Sequence, residues 1–139
     1  GRAEYRHADY SSAVRSYGRA IVQDPNFALA ALGLAMSADR VNSAEQHDRG
    51  LAIAWAKQDQ LSEADRAFLH AFAGPKYPSP SSAADALAAW ERVVRVAPDR
   101  AEGWYELGES FYYDGDLLGL HDALPRAGPA RFRRSLLSE

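Results

Sequence analysis

The stretch YSSAVRSYGRAIVQDP, residues 10–25, decides the fold when set beside ADALAAWERVVRVAP, residues 84–98. In the first, Ala13, Tyr17, Ala20 and Pro25 stand at gaps of four, three and five. In the second, Ala86, Trp90, Val93 and Pro98 stand at the same gaps. Ten residues beyond each proline comes a small residue preceded by leucine, Leu34-Ala35 in one copy and Leu107-Gly108 in the other. These coincident spacings mark an internal repeat. Gaps of four and three put successive residues on one face of a helix. A small side chain lets a neighbouring helix approach, and a large aromatic one turn on fills the space this opens. The proline then ends the helix, because the residue before it is pushed out of the α region. A helical hairpin of this kind cannot bury its apolar side alone, so units must stack.

Outward from these copies the same pattern holds. Nothing alternates with period two for long, while apolar residues recur at three and four. Asp-Pro, Pro-Asp, Gly-Asp and Ser-Pro pairs punctuate Ala- and Leu-rich segments. Together they predict helices at about 9–23, 27–40, 44–58, 62–73, 81–97, 100–114 and 129–138, an all-α chain. Ser62 with Asp65 three residues on reads as a capping box. The loop GPKYPSPSS, residues 74–82, holds three prolines, each of which would cost about 3 kcal/mol inside a helix. Ser81 or Ser82 can cap the helix that follows. Pro125 and Pro129 break the pattern near the end, and Pro129 suits the first turn of the last helix.

Composition narrows the function classes. The 139 residues are 47% hydrophobic and 11% aromatic, enough to build a core. A formal net charge of -3 argues against a nucleic-acid coat or a general binder of anionic lipid. With no cysteine there is no disulfide, thiol catalysis or thiolate metal site, which fits a reducing, cytoplasmic setting. No apolar run approaches the roughly 20 residues that span a bilayer, so no membrane partner is expected.

Catalytic patterns are weak. Gly108-Glu109-Ser110 suggests a nucleophile elbow, but Tyr112 stands where that motif needs glycine, and the context is helical. His7, His47, His70 and His121 are dispersed, with no pair spaced for zinc on a helix. His121-Asp122 has no candidate nucleophile beside it, and no glycine-rich phosphate loop occurs. The expectation is a non-enzyme with no cofactor and no metal.

Trp104, Leu107, Gly108 and Phe111, with the two quoted copies, resemble the tetratricopeptide repeat family, whose unit of about 34 residues begins W-x2-L-G-x2-Y and continues Ala, aromatic, Ala, Pro. Here Phe111 stands in place of the tyrosine. The resemblance implies a right-handed superhelical stack of antiparallel helix pairs, an α-solenoid. Its units would be about 1–25, 26–60, 61–98 and 99–139, the first lacking most of its first helix and the last cut short. Gly1 lies twelve residues before Ala13, the family's distance from the first helix's glycine to the second helix's alanine. Gly128, Phe132 and Ser135 repeat the four-then-three spacing. The chain therefore reads as a piece of a larger array. It is also similar to repeat regions attached to bacterial signalling proteins, such as Ser/Thr kinases and transcriptional regulators.

In that family first helices line a concave groove, and ligands contact their non-packing positions. The resemblance assigns this role to Glu102, Tyr105, Glu109, Tyr112 and Tyr113 in the best-matching unit. In the second unit it assigns Leu29, Leu32, Met36, Asp39 and Arg40, and in the first Arg2, Tyr5 and Arg6. The Lys and Asn residues with which some members clamp a peptide's carboxylate are missing from the best-matching unit, which argues against chaperone-tail binding. Residues 99–122 carry a net charge of -6 and residues 123–139 a net of +3. The basic end can pack against the acidic helix as an ion-pair network, or the acidic helix can face a basic partner. The leading expectation is a module binding a protein or peptide, a basic one if the acidic wall faces it. The alternative is a small-molecule sensor or a self-associating region of a regulator.

Overall fold

The computed structural model describes the backbone of residues 2–114 and the side chains of residues 9–109. These form six α-helices and a short 3-10 turn, with no strand among the described residues. The helices are α1 (Arg2–Gln23), α2 (Ala28–Arg40), α3 (Ala44–Ala56), α4 (Glu63–Ala73), α5 (Ala83–Val96) and α6 (Ala101–Asp114). The fold is all-α. The helix expected at 129–138 and the basic segment 123–139 lie outside the described residues.

The chain divides into two compact units, residues 1–62 and 63–139. In the first, α2 packs against both α1 and α3. Its sequence ALAALGLAMSADR suits a helix covered on two sides: Ala28, Ala30, Ala31, Leu32, Leu34, Ala35 and Ala38 are all buried. Small residues also let α3 come close. A Cβ on Gly50 would stand 2.6 Å from the carbonyl oxygen of Ala31 and 2.7 Å from the amide nitrogen of Ala35. Phe27 precedes α2 and has no side-chain acceptor, so the Ala28 N–H donates instead to Gln60 Oε1 at 3.4 Å, from the 3-10 turn Gln58–Gln60. At the other end Asn42 takes a left-handed φ of 57°. Its N–H donates to the Asp39 carbonyl and that of Ser43 to the Ala38 carbonyl, the paired closure that satisfies a helix's last acceptors.

In the second unit α5 packs against α4 and α6. The Phe68 ring meets Trp90 edge-on at 5.5 Å and stacks on Phe72 at 6.0 Å. Arg100, in the turn before α6, lies over Phe68 at 4.6 Å and bonds Asp65 of α4 at 3.0 Å. Trp104 Nε1 donates to the Pro98 carbonyl at 2.7 Å, pinning α6 to the turn that starts it. Gly74 ends α4 with φ 96°, and Ser82 starts α5 by accepting from the Asp85 N–H. Ser81 instead accepts from the Lys76 N–H at 3.1 Å, inside the proline-rich loop.

The two quoted segments share the spacing of their turns. Each proline stands two residues past its helix, α1 or α5, and each next helix begins three residues later. Their aromatics differ. Trp90 is 7% exposed because α4 brings Phe68 against it. Tyr17 is 37% exposed and covers Gly33 of α2.

One expectation needs correction. A separate first helix before α1 is not found, since α1 runs unbroken from Arg2. Residues 2–10, RAEYRHADY, contain no glycine or proline to interrupt it. Tyr5 and Arg6 therefore belong to the same helix as Ala13 and Tyr17, and the twelve-residue spacing from Gly1 marks no turn.

Candidate binding surfaces

On α6 the structure separates two sets of residues. Gly103, Trp104, Leu107 and Gly108 are buried, Glu102 is exposed, and Tyr105 and Glu109 are half-buried. Glu102, Tyr105 and Glu109 are spaced three and four apart, so one face carries all three. Tyr112 and Tyr113 sit in the last turn of α6, and their side chains lie outside those described. The backbone is helical through Gly108, Glu109 and Ser110, so no strand-to-helix elbow presents that serine.

The α2 candidates divide differently. Leu29 is 52% exposed, Met36 half-buried, and Asp39 and Arg40 exposed. Leu32, expected to face a ligand, is 2% exposed. It belongs to the core because α2 is flanked on both sides, so a position three residues from an exposed leucine is already covered. Tyr5 and Arg6 lie on α1, and their side chains too are outside those described.

Sequence reasoning missed what stands beside Leu29. Leu29, Gly33, Met36 and Arg40 form one stripe of α2, and the Tyr17 ring lies on it at Gly33. Tyr10 is two turns back on the same face of α1 and is 36% exposed. Val22 and Phe27, at either side of the α1–α2 turn, are also open to solvent, Val22 at 71%. Every large hydrophobic residue exposed among the described side chains lies on α1, α2 or their turn. The Tyr10–Tyr17 heptad and the pair flanking Asp24-Pro25 were the available signals.

The charged groups nearby form local structure. His47 Nδ1 stands 3.2 Å from Asp48 Oδ1, and Asp24 Oδ1 accepts from the Asn26 N–H in the turn. Among the described residues no three or more His, Asp or Glu side chains gather as a metal site would require. No described helix is long and apolar enough to cross a membrane. Compared with family models and with curated proteins, the chain matches none.

Proposed function

We propose that this chain is a non-catalytic helical repeat module of the tetratricopeptide type that binds a protein or peptide through the α1/α2 face. One observation carries the proposal: Tyr10, Tyr17, Val22, Phe27 and Leu29 leave apolar and aromatic surface open on a single helix pair. Scattered exposed hydrophobes are ordinary, but a concentration of them marks contact surfaces. Tyrosines beside leucine and methionine supply large contact area with polar tips, the composition that interfaces favour. The repeat reading is supported by the matched spacing of helix end, proline and next helix at Pro25 and Pro98. The fitting partner is an amphipathic segment laying an apolar stripe along Leu29, Tyr17 and Met36. Glu102 and Glu109 on α6 add a second, acidic surface suited to a basic segment of a partner. A setting within a bacterial cytoplasmic signalling or regulatory protein agrees with the resemblance of the repeats.

The test is selection of binding peptides on the intact chain, followed by affinity measurement on variants. Tyr17→Ala with Leu29→Ala should weaken binding at least about tenfold, the expectation for truncating two central contacts. Glu102→Lys with Glu109→Lys should weaken only basic peptides. Circular dichroism and thermal unfolding check that each pair stays folded, since Tyr17→Ala also uncovers Gly33. Unchanged affinity in the Tyr17/Leu29 pair would remove the α1/α2 face from consideration. Light scattering over a concentration series distinguishes partner binding from self-association through the same surface.

A further inference from the structure

The second unit holds a different kind of feature. Two adjoining cavities, of about 290 and 400 Å3, open along the junction of α4 and α5 and share Ala67, His70 and Arg92. Their floor is apolar and small, with Ala67 from α4, Ala88 and Ala89 from α5, and Pro75 from the loop. Their rim is ionic. Arg66 and Arg92 flank one cavity, while Lys76 and Asp85 close the other with a 3.0 Å ion pair. Arg92 reaches Glu63 only at 3.9 Å, with both side chains more than half exposed. A pair of that length and exposure holds its partners weakly, so the Arg92 fork can turn to a better acceptor. The volumes suit a ligand of a few to about ten heavy atoms.

We propose that this groove binds a short-chain aliphatic carboxylate, its charge held by Arg66 and Arg92 and its hydrocarbon body laid on Ala67, Ala88 and Ala89. Arginine forks match a carboxylate's two oxygens, and alanine floors accept methylene groups without polar competition. Phosphate would use the cations but leave the apolar floor wet. A neutral alcohol would use the floor but not the cations. The proposal is independent of the α1/α2 reading, which concerns the other unit, and either can fail alone.

His70 reports on the site from within. Its pKa lies below the ordinary value, chiefly through burial and then through Arg66 and Arg92. Glu63, Lys76 and Asp85 complete the charged groups around the cavities. A carboxylate seated among the arginines offsets their field, so His70 should titrate at higher pH when the groove is filled.

The experiment follows the His70 imidazole by NMR through pH titrations of the intact chain, with and without sodium hexanoate at constant ionic strength. Hexanoate should raise the His70 pKa saturably. Acetate, which lacks the methylene body, should bind at least about tenfold more weakly, and hexanol, which adds burial but no charge, should not raise the His70 pKa. Arg92→Gln should weaken hexanoate about tenfold. Ala88→Glu, a helix-compatible change at an exposed position, should abolish its effect by placing a carboxylate on the floor. Circular dichroism checks that both variants stay helical. An unsaturable shift, an equal affinity for acetate, or an unchanged hexanoate response in both variants would overturn the proposal.

Discussion

At Gly50 one methyl group would decide how closely α3 approaches α2. The atoms it would meet at 2.6 and 2.7 Å belong to the backbone of Ala31 and Ala35, in a helix buried on both sides. No rotamer can relieve such a clash, so the helices must separate. Overpacking of this kind costs about 1–3 kcal/mol, while replacing glycine within a helix returns roughly 1 kcal/mol. Gly50→Ala should therefore destabilise the chain by about 1 kcal/mol, read as a lower urea midpoint. Gly33 is the control, because its Cβ would meet only the Tyr17 ring at 2.5–2.9 Å. That ring is partly exposed and can swing aside, so Gly33→Ala should be near neutral in stability. Equal destabilisation by the two changes would show that side-chain freedom does not separate them.

The loop between α4 and α5 shows how an element boundary is held. Ser81 and Ser82, adjacent and alike in sequence, divide the work: one ties the loop to Lys76, the other caps α5. Ser82→Ala should cost about 1 kcal/mol by freeing the Asp85 N–H, measured by thermal or urea unfolding. Asp85 is held below the usual carboxylate range, first by its bond with Lys76 and then by that with Ser82. Its contribution is thus complete above the ordinary aspartate value of about 3.9 and disappears as pH falls through the lowered one. Asp85→Asn should narrow the stability gap between neutral and acid pH. The element bounds were legible because such caps are written in short residue types: α2 to α6 begin or end within two residues of where Ser, Gly, Asn and Pro place them. The start of α1 was not, since residues 2–10 carry no glycine or proline. The binding surface was legible only in part. Periodicity puts Leu29 and Leu32 on one side of α2, but which one is covered depends on how α1 and α3 flank that helix. Tyr17 and Trp90 stand at the same place in the two matched spacings, yet Trp90 is buried with Phe68 of α4 against it while Tyr17 is not.

Across the whole molecule the two units are built from different materials. The first, residues 1–62, buries mostly alanines and leucines around α2, with Ile21, Leu51, Ala54 and Leu61 completing it. The second, residues 63–139, buries Phe68, Leu69, Leu87, Trp90, Val93, Val94, Trp104 and Leu107. Aromatic side chains bury roughly 150–250 Å2 each, and at about 25 cal/mol per Å2 each contributes several times what an alanine does. A piece of about 60 residues is already marginal, because it buries only about 60% of the surface its unfolded chain exposes. The expected outcome is that fragments 1–62 and 63–139 both retain helix but unfold in a fixed order. Fragment 1–62 should lose its structure at lower urea, with fragment 63–139 surviving further. Each carries its own fluorescent reporter, Trp55 in the first and Trp90 with Trp104 in the second, so the same measurement serves both. The reverse order would mean that close alanine packing around Gly50 outweighs the larger aromatic area. A fragment without helical circular dichroism would mean that its buried residues do not suffice as a core of their own.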